Sequence, residues 1–297
     1  MTPAKTQTGF FPVGFRRLGS AWQKDLARAI EFAIPNHFAH IDIGPESPEA
    51  IRQIISAGLG VGSVDLPRPW EKLASPDAGE RAANADQSAE YVKSCVAAGV
   101  KIFFVVVFPD DPTRKRAESF ALAADGYARL CERIAPLGAK IAIEGYPGSA
   151  PYYSSLVCTP AAYRDFFKAV ASPAVGVNYD PSHLVRLGID PIRFAAEFAD
   201  RIFHVHAKDT AILPDGLYHH GNLQPAAHAP PHKYGGWAWR YTIPGHGNSN
   251  WPAMLRVLQS AGYAGKVSIE LEDEDFTGSE EAEMRGLLAS RDFLLSA

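Results

Sequence analysis

The sequence predicts a (β/α)8 barrel, and three observations carry that expectation. Strand-like and helix-like runs alternate at intervals of roughly 30 to 40 residues, the rhythm of repeated βα units around a parallel sheet. Eight strand-like runs fit within the 297 residues, which matches the size and repeat number of such a barrel. The last four runs end in side chains that bind metals or move protons: Glu144, Asp180, His206 and Glu270.

The strand-like runs cover residues 9–14, 40–43, 61–66, 101–108, 140–144, 175–179, 202–207 and 267–271. Helical patterns fill 22–33, 48–57, 79–98, 113–134, 160–170, 191–198, 251–261 and 280–295. Gly58, Gly99, Gly138 and Gly262 stand just past helical runs, where a left-handed residue ends a helix before the next strand. At 46% hydrophobic content and with no Ser/Gly-rich or charge-run linker, residues 1–297 read as a single domain.

The net charge of −4 gives no electrostatic footprint for nucleic acid or an anionic membrane. Arg16-Arg17 and Arg114-Lys115-Arg116 read as solvated helix ends. The N-terminal stretch has no apolar core of a signal segment, and the apolar run 102–108 is too short to span a bilayer, so a soluble, cytoplasmic protein is expected. Cys95, Cys131 and Cys158 are widely spaced and form no CxxC, as expected of buried thiols rather than a disulfide framework or a zinc–cysteine site.

The segment AVGVNYDPSHL, residues 174–184, sets the pattern for the site. Its apolar residues alternate until Asp180-Pro181, because proline cannot continue a sheet ladder. Asp180 therefore ends the sixth strand, and His183 follows three residues later in a turn. Glu144, His206 and Glu270 end the fifth, seventh and eighth strands in the same way, and active sites of these barrels lie at that rim. Two Glu, one Asp and one His give mostly oxygen ligation of one divalent ion, Mn²⁺ first, with Mg²⁺, Co²⁺ and Zn²⁺ as alternatives. Taken singly, Glu144 reads equally as a rim salt bridge, Asp180 as a turn cap, His206 as a core histidine and Glu270 as part of a solvated acidic run. Strand alternation puts His204, His206 and Lys208 on one face.

Residues 209–250 break the rhythm, since about 40 residues replace the two to six of an ordinary βα loop. The segment holds His219, His220, His228 and His232, three prolines (Pro225, Pro230, Pro231), Trp237, Trp239 and Arg240. Its place at the rim and its mixture of flat apolar and donor side chains predict a substrate-covering loop, with Trp239, Arg240 and His246 supplying contacts. A disordered or oligomer-forming insertion is the alternative.

The motifs IAIEG at 141–145, NYDPSHL at 178–184, HVHAKD at 204–209, PGHGNSNW at 244–251 and SIELED at 268–273 resemble the sugar phosphate isomerase/epimerase family with a xylose isomerase-like TIM barrel. The resemblance lies in the second half; the first half matches in rhythm alone. It implies that Glu144, Asp180, His206 and Glu270 bind one divalent metal, that Glu144 and Glu270 flank the sugar as acid and base, and that His183 contacts substrate oxygens. It further implies a keto-sugar isomerase or epimerase working through a metal-stabilised enediolate.

More narrowly, DPSHL, HAKDT with its long loop, W-R-x-x-x-P-G-H-G and IELED resemble the branch acting on 3-keto-sugars, which includes C-glycoside deglycosidase catalytic subunits and related lyases. This implies the alternative of β-elimination from a 3-keto-glycoside, with His183, Lys208 or His246 as the acid for the leaving group. The small epimerases carry an arginine soon after the histidine of the seventh strand, where this chain has Ala211-Ile212-Leu213, and Arg240 is the substitute. An apurinic endonuclease of the same superfamily needs further histidines at earlier strand ends, where this chain has LPRP and FPDD. A nuclease and a non-catalytic sugar-binding barrel are thus the weaker alternatives. The expected partner is a small sugar, with a homo-oligomer or an accessory subunit left open.

Overall fold

A computed structural model describes residues 2–148, 155–222 and 229–297. Eight parallel strands close into a barrel: β1 (Val13–Arg16), β2 (His40–Ile43), β3 (Gly60–Asp65), β4 (Ile102–Val105), β5 (Lys140–Glu144), β6 (Val175–Tyr179), β7 (Ile202–Ala207) and β10 (Val267–Ile269). A separate antiparallel ribbon pairs β8 (Asp209–Ile212) with β9 (Trp239–Thr242). The strands are buried because helices cover the outside of the barrel and side chains fill its inside. Around the barrel the order is β1-β10-β7-β6-β5-β4-β3-β2, so β5, β6, β7 and β10 are consecutive neighbours.

Local chemistry ends the elements as expected. Gly58, Gly99, Gly138 and Gly262 all adopt positive φ, between +69° and +109°. The helix Pro160–Val170 starts on Thr159, whose side chain accepts from the Ala162 amide, with proline at the first turn. The helix Glu280–Ser296 starts on Ser279 in the same way. All three cysteines are free and buried. Among the described residues, no helix is long and apolar enough to cross a membrane.

The first strand is displaced from its expected place at 9–14. Gly9 and Phe10 have φ of +82° and +54° and form a turn, and the strand starts at Val13, just past Pro12. Arg16 therefore ends a barrel strand instead of a helix, and its side chain is only 12% exposed. His183 lies in a short helix, Pro181–Arg186, in place of the expected turn. Within 209–250, the described residues 209–222 and 229–250 hold the ribbon and the helix Pro214–His220. His228 and Pro225 lie outside the described residues.

One close approach fixes two outer layers. In the helix Arg116–Ile134, a Cβ on Gly126 would sit 1.9 Å from the backbone oxygen of Leu73. Alanine favours a helix by about 1 kcal/mol over glycine, but here overpacking, which typically costs about 1–3 kcal/mol, acts against backbone and outweighs it. Gly126→Ala is therefore expected to lower the urea midpoint, with a net loss of up to about 2 kcal/mol; an unchanged or raised midpoint would show that the contact yields.

Candidate metal centre and active site

Lateral register in the parallel sheet assembles the site. Glu144 on β5 pairs with Asn178 on β6, Asn178 pairs with His204 on β7, and Ser268 on β10 pairs with His206 on β7. Paired residues of adjacent strands point to the same side, so the polar residues form rows inside the barrel. Asp180 and Glu270 follow immediately after their strands, at the C-terminal rim.

Glu144, Asp180, His206 and Glu270 each offer one ligand atom, all within 4.8 Å of one another, and all four residues are buried. Donors on opposite sides of a divalent ion lie roughly 4–5 Å apart, so this cluster fits one ion. One observation adds to the fit: Asp180 Oδ2 is buried without a hydrogen bond, with the Lys208 ammonium 3.2 Å away. Asp180 serves two ends at once, because its Oδ1 accepts from the Ser182 amide at 2.9 Å and caps the short helix. The capping and ligand readings of this residue are thus compatible.

Positive charge and hydrogen-bond donors interleave with the carboxylates. Glu144 Oε2 meets His206 Nδ1 at 2.7 Å and the Asn178 amide nitrogen at 2.8 Å, while Oε1 lies 3.2 Å from His183 Nε2. Burial pushes the Glu144 carboxyl up, but His206 and His183 outweigh it and hold the group well below the usual carboxylate range. His206 is opposed by burial yet raised to about 10 by Glu144 and Glu270. The fully buried Lys208 ammonium contacts Glu270, Glu272 at 2.9 Å and Asp180 at 3.2 Å, and these carboxylates raise it well above an ordinary lysine despite burial. Glu270 is held down by Lys208 against burial, whereas burial dominates at Glu272 and raises it.

The expected substrate contacts divide by strand face. His183 is buried between Glu144 and Asp180, 3.2 and 3.3 Å away, and its Nδ1 lies 2.8 Å from the Tyr241 hydroxyl. Within β9, Trp239 and Tyr241 share the buried face: the Arg186 guanidinium stacks 4.0 Å from the Trp239 ring, and Tyr241 covers Lys208 at 4.6 Å. Arg240 points to the other face and pairs with Asp275 at 2.7 Å, with Asp273 and Glu274 at 3.6 Å. His246 sits on an exposed turn, its ring 6.2 Å from Phe276. His232 bonds Glu274, and His220 packs 4.3 Å from Trp237.

Arg16, Asp65 and Tyr241 are site residues that sequence reasoning missed. Arg16 forms a two-pronged pair with Asp65 at 2.8 Å, reaches Glu270 at 3.3 Å and stacks over Phe104 at 4.4 Å, correcting the solvated reading. Placing the first strand at 13–16 would have put Arg16 at the rim, and alternation through WRYT would have paired Tyr241 with Trp239.

A closed barrel with buried carboxylates and imidazole at the C-terminal rim defines a class of barrel proteins. The chain belongs to the xylose isomerase-like TIM barrel family, whose model matches residues 24–296. It is 37% identical over 148 residues to the uncharacterized protein YfiH of Bacillus subtilis, covering 49% of this chain and 44% of that one. It is 26% identical over 165 residues to the inosose dehydratase of Lacticaseibacillus casei, covering 56% and 51%. The chain thus spans about half the length of the curated relatives it matches. Its fold resembles that of the 3-keto-D-glucoside 4-epimerase YcjR of E. coli, with a TM-score of 0.68, 14% identity, and 96% and 98% of the two chains covered.

Glu270→Gln and His206→Ala are expected to lower Mn²⁺ affinity by more than the roughly 10- to 100-fold typical of residues behind the ligands. Elemental analysis and titration calorimetry on variants with wild-type circular dichroism check this; wild-type affinity in both would put the ion elsewhere. Arg240→Ala removes the ribbon's pairs to 273–275 and is expected to speed amide exchange in β8 and β9 roughly two- to fivefold, in line with about 0.2–1 kcal/mol per exposed pair. Unchanged exchange would release Arg240 from this tethering role.

Proposed function

We propose that the protein is a divalent-metal-dependent enzyme that isomerises or epimerises a keto-sugar or sugar derivative by moving a proton at the carbon beside the carbonyl. The observation that carries this reading is the convergence of Glu144, Asp180, His206 and Glu270 from four adjacent strands on one buried point. When bound, the divalent ion supplies Lewis-acid polarisation of the carbonyl.

The chain's own groups supply the proton handling. Each glutamate has two carboxylate oxygens, so one oxygen is available to the ion and the other to a substrate C–H bond. Glu144, kept ionised by its imidazole neighbours, is the base on one side, and Glu270, between Arg16 and Lys208, is its counterpart on the other. Return of the proton to the opposite face gives an epimer, and return to the neighbouring carbon gives an isomer. His183 and Lys208 hold substrate oxygens, and the Trp239–Tyr241 face of the ribbon excludes water above them.

β-Elimination is the second reading. It is favoured by the relatives named as inosose dehydratases, since losing water starts from the same proton abstraction. The aromatic face of the ribbon would then flank the departing group, and Lys208 or His183 would protonate it. A nuclease fits poorly, because the chain's net charge is −4 and a polyanion needs a basic surface.

Incubation of the Mn²⁺-loaded protein with keto-sugars and 3-keto-glycosides in D₂O tests both. Deuterium beside the carbonyl of a recovered isomer or epimer is the expected result. An unsaturated keto-sugar with release of water or aglycone would move the protein to the elimination reading. Hydrogen migrating between carbons without exchange would remove the base roles of Glu144 and Glu270.

A further inference from the structure

Below the carboxylates, the barrel interior carries a second polar layer. His40, Asp42, Ser63, His204 and Ser268 come from β2, β3, β7 and β10, and each is at most 1% exposed. Barrels of this kind usually fill these layers with branched apolar side chains. Burying polar groups is costly unless they are paired, and here the pairs converge on one carboxylate. Asp42 Oδ2 lies 2.7 Å from His204 Nε2, and Asp42 Oδ1 accepts from the Ser63 amide at 3.0 Å. Ser268 Oγ lies 2.7 Å from His40 Nε2 and 3.1 Å from His204 Nε2, closing the network behind Asp42. Gly62 makes the room: a Cβ there would fall 1.9 Å from Asp42 Oδ1.

The upper end of this network is His206. Its Nδ1 faces Glu144 at 2.7 Å and Glu270 at 3.7 Å, the side on which the ligand atoms gather. Its Nε2, otherwise without a hydrogen bond, faces Asp42 Oδ2 at 3.4 Å. Phe104 stacks on the ring at 5.3 Å and 23°, and His204 meets it edge-on at 5.5 Å and 84°. The ring is therefore held from both sides with one nitrogen toward each carboxylate group.

We infer that Asp42 is a positioning residue for the metal centre: it accepts from the Nε2–H of His206, so that Nδ1, with its lone pair, is turned toward the side where the carboxylates of Glu144, Asp180 and Glu270 gather. This rests on the metal-dependent reading above. An acidic partner behind a ligating imidazole fixes its tautomer and orientation and makes it a better donor. The histidine–serine network beneath holds Asp42 in turn, which gives the buried layer a purpose beyond filling the barrel.

The test titrates Mn²⁺ and Co²⁺ into the wild type, Asp42→Asn, His204→Gln and Ser268→Ala, with the Co²⁺ absorption spectrum as a second readout. Asp42→Asn is expected to weaken binding roughly 10- to 100-fold, the range for partners behind metal ligands, and to alter the Co²⁺ bands. His204→Gln and Ser268→Ala should weaken binding by smaller factors, and they carry the test if Asp42→Asn fails to fold. Wild-type affinity and spectrum in the folded variants, even with a lowered melting temperature, would reduce the layer to a structural role and overturn the inference. A wild type that binds neither ion would instead overturn the metal-dependent reading itself.

Discussion

The constraint on which the molecule depends is the burial of opposed charges at one end of a barrel. An isolated buried carboxylate is so costly that it takes up a proton instead of staying charged. Here Glu144, Asp180 and Glu270 lie among Lys208, Arg16, His183 and His206, so each charge has a partner within hydrogen-bond or ion-pair reach. Such pairing offsets desolvation only where geometry is fixed. A closed barrel supplies that geometry, since neighbouring strands hold the side chains in register on a shared ladder.

The ribbon over the rim extends the same logic outward. Asp209, the residue after Lys208, accepts from the amides of Thr210, Gly245 and Ser249, which ties the start of the ribbon to the turn that ends it. Thr210 donates to the Ser182 backbone, and Asp273 accepts from the Ile243 amide. The segment is thus bound to the β6 and β10 ends of the barrel, and the buried face of β9 closes over Lys208 and His183. An enzyme that abstracts a carbon-bound proton benefits from such cover, because water competes with substrate for the same donors.

Isomerisation, epimerisation and elimination share a first proton abstraction and differ in what the next proton meets. The relation of this chain to epimerases is one of fold, at 14% identity to YcjR, whereas its sequence relation to inosose dehydratases covers about half of each chain. Arg16, Asp65 and Phe104 bring a guanidinium, a carboxylate and an aromatic ring to the site from β1, β3 and β4. Trp239 and Tyr241 add the buried aromatic face of β9.

The barrel was legible because its information is local. Alternation, proline after Asp180 and glycine after helices act within a few residues, and seven of eight barrel strands lie where those signals put them. The convergence of Glu144, Asp180, His206 and Glu270 was legible for a related reason: side chains at consecutive strand ends come together once the sheet closes. The first strand slipped because Gly9-Phe10 turns before Pro12, and that slip hid Arg16. The ribbon was not legible because its two strands are separated by residues 213–238 and gain their pairing only when folded back on each other. Strand alternation then put Tyr241 over the site and Arg240 toward the acidic turn. Asp42 reads in sequence as an ordinary polar residue of a short strand. Its place behind His206 is a contact between residues 164 positions apart in the chain, which only closure of the barrel brings together.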